Sequence, residues 1–156
     1  MNIRKADYSD IDFILYVINH PDINEISKDD GLYEINKDNV GLYIGSEFIT
    51  ILIPSIDQVD IGFFLFIQHN IVTIELHTCI LPKYRGLKVI EAAQLVKDYL
   101  WNDTQYRKIV TQIPQYNKAA IWMALKCGFE KEGINKLSFK KDGILFDQYY
   151  LGLCKE

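Results

Sequence analysis

The sequence predicts a mixed α/β fold, a twisted β-sheet with helices on both faces, and three observations carry that expectation. Helical periodicity and strand-like runs alternate along the chain. Runs rich in β-branched and aromatic residues crowd its middle third. One strand-like run then lies between two helical stretches, and a hairpin closes the chain, an order that a mixed sheet accommodates.

Ile3 to Lys5 starts a short strand. Ser9 reads as a helix N-cap with Asp12 three residues on, and Ile11, Ile14, Leu15 and Ile18 follow at helical spacing. Pro21 ends that helix, and a weaker helical piece covers Ile23 to Leu32, broken at Asp29-Asp30-Gly31. Val40–Ile44, Phe48–Ile53, Ile61–Gln68 and Ile71–Leu81 read as strands, with turns at Gly45-Ser46 and His69-Asn70. After Gly86 the period lengthens, and Val89, Ala92, Ala93, Val96, Tyr99 and Leu100 form a helical face. Arg107 to Ile113 is strand-like, Asn117 caps a helix through Leu125, and Gly128 suits its left-handed end. Asp142-Gly143 turns a last hairpin between Lys136–Lys140 and Ile144–Leu153.

With 156 residues the chain suits one domain, 1–156, and 49% hydrophobic content allows a core without disulfides or metals. Seventeen basic and twenty-one acidic residues, unclustered, argue against a nucleic-acid partner. The apolar stretches are strand-sized and no signal peptide is evident, so neither a membrane association nor export is expected, and the location expected is cytoplasmic. Cys79, Cys127 and Cys154 are widely spaced and odd in number, which reads as free thiols. Phe63, Phe64 and Phe66 point to both faces of one strand and read as core.

The chemistry concentrates between Leu81 and Ala92. A strand ends at Pro82, a cationic loop carries Arg85, Gly86 and Lys88, and a helix begins. Unpaired N–H groups at a helix start attract an anion, and Gly86 lets backbone approach a ligand. Glu75 and His77 lie two apart on the preceding strand and so share a face of the sheet.

Arg85-Gly86-Leu87-Lys88-Val89-Ile90 resembles the acyl-coenzyme A loop of the GNAT acyltransferase superfamily, Arg/Gln-x-x-Gly-x-Gly/Ala, with Lys88 and Ile90 at the positions usually small. Asn117-Lys118-Ala119-Ala120, followed by Gly128-Phe129 and Glu132-Gly133, is similar to the family's second block. Glu91-Ala92, Asp98-Tyr99-Leu100-Trp101, Asp142-Gly143 with Asp147, and the start Ile3-Arg4 with Asn19-His20-Pro21-Asp22-Ile23 resemble its ribosomal-protein-alanine acetyltransferase-like branch. The resemblance covers nearly the whole chain. It implies six to seven strands and about four helices, with the strand ending at Leu81 splaying from the one starting near Lys108.

What the resemblance implies chemically is N-acyl transfer from acetyl-CoA to a primary amine, by direct attack. The amine could be a protein N-terminus, a lysine or a small molecule. Glu75 would be the base, its carboxyl raised by burial under the bound cosubstrate, with His77 assisting. Thr78, Cys79 and Ile80 would pair with the pantetheine and hold the thioester oxygen, while Arg85 to Ile90 and Asn117 would contact the rest of the cosubstrate. Ala124 stands where many members carry a Tyr that protonates the leaving thiolate. The acceptor would be set by Ile23 to Asn39 and by the last hairpin, and no metal is implied. A second reading is a non-catalytic GNAT-fold protein, such as a phage virion or assembly component, which the Ile, Asn, Lys and Tyr usage would suit. A third is a coenzyme A ester-binding regulator without turnover. The quaternary expectation is a monomer or homodimer, or an assembly partner under the second reading.

Overall fold

The computed structural model describes residues 1–31 and 34–156. Its described elements run β1 (Asn2–Lys5), α1 (Ile11–Ile18), α2 (Pro21–Ser27), α3 (Lys37–Gly45), β2 (Ile49–Ile56), β3 (Val59–Asp60), β4 (Gly62–Gln68), β5 (Thr73–Ile80), α4 (Leu87–Asp103), β6 (Lys108–Pro114), α5 (Lys118–Lys126), β7 (Glu130–Lys141) and β8 (Ile144–Cys154). All eight strands join one mixed sheet in the order β1-β2-β4-β5-β6-β8-β7, with the short β3 paired to β2. Only β5 and β6 run parallel, joined by the α4 crossover.

Two cores lie on opposite faces. Leu52, Phe64, Phe66, Ile74 and Ile109 pack against Val89, Ala92, Val96 and Leu100 of α4 and Ile121 and Ala124 of α5. Ile51, Ile53 and Phe63 pack against Ile14 and Val17 of α1, Ile23 of α2 and Val40 of α3. The period of two along β4 therefore sends Phe63 to one core and Phe64 and Phe66 to the other, as expected for a strand buried on both faces.

Several elements differ from the sequence reading. Val40–Ile44 belongs to α3 rather than a strand, and Gly45-Ser46 is the end of that helix rather than a hairpin turn. Asn36 and Asn39 cap it reciprocally, each side chain accepting the other's backbone N–H at 3.0 Å. Val40, Tyr43 and Ile44 then face the core at helical spacing. The first cap is Asp7, not Ser9: its carboxylate accepts the Ser9 N–H, Asp10 accepts the Asp7 N–H, and a 3-10 turn over Tyr8–Asp10 leads into α1. Pro21 opens α2 at its first position, where its missing N–H costs nothing, and α2 ends at Ser27. The Leu32 end of the expected Ile23–Leu32 piece lies outside the described residues. β7 begins at Glu130, and irregular pairing around Leu137, at φ +50°, lets the longer strand follow β8. Five described helices result, where about four were expected.

Arg4 on β1 makes a forked contact to buried Asp10, at 2.8 and 2.7 Å, and a third bond to Asp60 on β3. These tie the sheet edge to the start of α1. Arg4 holds the Asp10 carboxyl below the usual carboxylate range, burial opposing it. A lowered carboxyl contributes stability that is present above its unfolded value and lost as pH falls through its folded one. Asp10→Asn should therefore cost about 1–3 kcal/mol at neutral pH, since it leaves Arg4 without its buried partner. Thermal melts across pH should show that gap narrowing below about pH 4. Equal melting curves at pH 7 would refute the assignment.

Candidate functional site

β5 and β6 pair only over Thr73–Glu75 against Lys108–Val110. Beyond that point β5 stays on β4 as far as Ile80, and β6 stays on β8 as far as Pro114. The sheet thus opens into a V, the splay expected from the order of elements.

Backbone parity fixes which amides face the opening. The Val72 carbonyl accepts from Arg107 and Lys108 on the β6 side, whereas the Thr73 carbonyl and Leu81 N–H bond back toward β4. The β4–β5 register is unbroken from Gln68↔Ile74 to Gly62↔Ile80. In a strand, successive residues turn their amides to opposite edges, so Leu76, Thr78 and Ile80 present theirs to the V. The Ile80 carbonyl there accepts from Arg85 Nε at 3.3 Å. Of the three residues expected to offer this edge, Cys79 turns its amide to β4 and gives only its side chain. Leu76, which was not expected, gives an amide.

Two adjoining cavities fill the opening. One, of about 310 Å³, is bounded by Thr78, Cys79, Ile80, Arg85, Gly86, Val89, Asn117, Ala119, Ala120, Trp122 and Met123, with Ile23, Ile26 and Ser27 of α2 across it. The other, of about 470 Å³, reaches deeper, to Glu75, His77, Gln112, Ala124, Phe139 and Gln148. Leu76, Thr78, Cys79 and Asn117 also border it.

Gly86 caps α4 at φ +91°, a conformation that strains any residue with a Cβ, and no side chain caps that helix. The Val89 N–H donates back to the Gly86 carbonyl at 3.1 Å, and the Leu87 and Lys88 N–H groups at the helix start stay open to a ligand. Among the described residues no carboxylate lies within ion-pair distance of Arg85. Lys88 already has helical backbone, so a residue other than Gly is tolerated there. It leans on Glu91 at 3.7 Å instead of entering the cavity. Leu87 points to solvent. Ile90 borders a neighbouring cavity beneath α4, with Ala93, Gln94 and Leu76. Asn117 caps α5, its Oδ1 accepting the Ala120 N–H at 3.1 Å, and borders both cavities of the V.

Glu75 and His77 share a face, and His69 from the β4–β5 turn joins them. His69 Nε2 lies 2.5 Å from Glu75 Oε2, and His77 Nε2 lies 3.3 Å from Oε1. The two imidazoles, His77 foremost, hold the Glu75 carboxyl below its usual value although burial pulls the other way. Burial pushes the Cys79 thiol up to about 12 and raises Cys127, which leaves both poor nucleophiles.

The segment after α2 closes one side of the opening. Tyr116 donates to the Ile26 carbonyl at 2.8 Å. Asp30 accepts from Asp142 and Gly143 N–H at 2.8 and 2.9 Å, pinning that segment to the last hairpin turn. His69 and Leu76 were missed in the sequence for different reasons: His69 sits in a turn, and Leu76 acts through backbone. The strand parity that exposes Leu76 is readable once the edge is known.

No protein-family model matches the sequence, and no curated protein matches it significantly. Solved structures do. A point variant of spermidine N-acetyltransferase from Vibrio cholerae is similar at a TM-score of 0.84 and 21% identity, over 99% of this chain and 95% of that one. The Vibrio cholerae enzyme in complex with CoA and spermine gives 0.80 and 17%, over 98% and 94%. A Streptococcus mutans protein gives 0.84 and 18%, over all of both chains. At these identities the likeness establishes the fold, and the chain has the GNAT fold of N-acetyltransferases.

Proposed function

We propose that the protein is an acetyl-CoA-dependent N-acetyltransferase acting on a primary amine, one domain over 1–156. The observation that carries this reading is the coincidence, along one opening, of an unpaired β5 edge with an uncapped helix start and the unpaired Arg85 cation. A peptide-like arm flanked by phosphates fits such a cleft. The amide edge of Leu76, Thr78 and Ile80 would pair with the arm and donate to the thioester oxygen, where charge develops during attack. Arg85 and the first α4 N–H groups would hold the pyrophosphate, and Val89, Asn117, Ala120 and Met123 would wall the passage between. Cys79, Leu87, Lys88 and Ile90 would contribute packing or surface charge rather than direct contacts.

The amine would enter from the side of Glu75, His77 and Asp29, whose acidic character suits a cationic acceptor. Neighbours of this fold include an enzyme solved with spermine, which supports a small polyamine as one candidate beside a protein N-terminus or lysine. Direct attack needs no enzyme nucleophile, consistent with the two raised thiols. The rival reading, a surface-acting protein of this fold such as a virion component, would need none of the cleft's polar edge. Among the described residues no helix is long and apolar enough to cross a membrane.

Calorimetric titration with acetyl-CoA should show saturable binding. Arg85→Glu should weaken it about tenfold to a hundredfold, the worth of one charge-assisted contact, while the melting temperature stays nearly constant. Equal affinity of the two proteins would place the anion site elsewhere, and no affinity in the wild type would favour the rival reading. Intact mass after incubation with acetyl-CoA and no amine should be unchanged, and a stable acyl adduct would refute direct attack. Turnover assays with spermine, a free peptide N-terminus and a lysine peptide would then assign the acceptor.

A further inference from the structure

We infer that His77 is the group that takes the amine proton, and that Glu75 and His69 are the positioning pair that fixes its tautomer. This rests on the acetyltransferase reading above and deepens it by dividing labour among three residues of one sheet face.

The geometry orders them. His77 borders the deep cavity of the V and its side chain is half exposed, so it is within reach of an entering amine. Glu75 borders the same cavity but its side chain is only 16% exposed, and His69 lies on the β4–β5 turn, outside the cavity lining. Both carboxylate oxygens thus face an imidazole nitrogen, Oε2 toward His69 and Oε1 toward His77. An ionised carboxylate only accepts hydrogen bonds, so His69 presents Nε2–H to Oε2, and a neutral His77 best suits its 3.3 Å approach to Oε1 with the proton on Nε2. A neutral His77 in that tautomer keeps its lone pair on Nδ1. The closer contact to His69 anchors the carboxylate and directs Oε1 toward His77.

The remaining ionisable side chains that border this cavity are Asp29, Cys79 and Cys127. The two thiols are raised by burial. Asp29 is engaged with the Gly31 N–H, beyond α2 on the far wall. Glu75 itself is drawn below its usual value by its two neighbours, which weakens it as a base. Imidazole is the side chain whose ordinary range suits transfer in both directions near neutrality.

The step balances without another reactant. The neutral amine nitrogen bonds to the thioester carbonyl carbon, and its proton passes to His77 Nδ1. The carbon–sulfur bond breaks with its electron pair on sulfur, and the imidazolium returns the proton to that thiolate. The carboxylate of Glu75 stabilises the imidazolium meanwhile, the logic by which a buried carboxylate serves a catalytic histidine elsewhere. One residue then covers both base and acid, which accounts for Ala124 where a phenol would otherwise supply the acid.

The test has one arm that needs no turnover. Nitrogen-15 NMR of the three histidines, assigned with His20→Gln, His69→Gln and His77→Gln, should show neutral His77 protonated on Nε2. In His69→Gln and Glu75→Gln that preference should fade. An Nδ1-protonated His77 in the wild type, or one unaffected by either substitution, overturns the proposal whether or not acetyl transfer occurs. In the kinetic arm, with acetyl-CoA and the best amine of the assays above, His77→Gln should lower kcat by about a hundredfold to ten-thousandfold, as loss of a base does. His69→Gln should lower kcat by about tenfold and move the acidic limb of the pH–rate profile, with KM for acetyl-CoA nearly unchanged. Full activity of His77→Gln alongside a large loss in Glu75→Gln would make Glu75 the base and refute the inference. Absence of wild-type turnover with every amine would sink the acetyltransferase reading itself.

Discussion

Everything about the candidate site follows from the point where β5 and β6 cease to pair. Up to Glu75 and Val110 the sheet is continuous, and beyond them each strand is satisfied on one edge only. Unpaired backbone amides in a protein interior are costly unless something bonds to them. The V therefore leaves backbone groups of Leu76 and Thr78 for water or a ligand to satisfy. The α4 crossover begins at the mouth of the same V, so the cationic helix start and the open edge are brought together by topology rather than by side-chain packing. Gly86 is the residue that makes the junction possible, since the chain must pass through positive φ to enter α4 there.

The two faces of the sheet divide the chemistry. Even-numbered residues of β5 point toward α4 and α5, where Ile74 and Ile80 join the larger core. Odd-numbered residues point the other way, where Cys79 packs against the second core while Glu75 and His77 border the deep cavity. The row of His69, Glu75 and His77 is thus partly desolvated yet reachable. Such a position strengthens charge contacts without sealing them from protons.

Much of this was legible in the sequence, and the failures have physical causes. Asn117, Gly128 and the Asp142-Gly143 turn were read correctly because each makes a local demand on the backbone that few residues meet. Val40 to Ile44 was misread because a short apolar run fits either period, and the reciprocal Asn36–Asn39 cap that decides the matter lies upstream of it. Lys88 illustrates the converse. The motif made a small residue seem necessary there, but the helix has already begun, and ordinary helical φ accepts a lysine. His69 carried no local signal, because its meaning comes from the β4–β5 register, which places it diagonally across from Glu75.

The clamp formed by Asp30 has a consequence for how this side of the opening responds to change. Its carboxylate bridges to the turn of the last hairpin across 112 residues of sequence, while Tyr116 holds the Ile26 carbonyl from a third segment. This wall of the opening is thus a closed mechanical circuit instead of a set of independent loops. A change in one segment alters the seating of the others, so single substitutions along it should rarely act alone. Reshaping the wall would take compensating changes in segments remote in sequence, and replacing only one of them would break the circuit rather than reshape it.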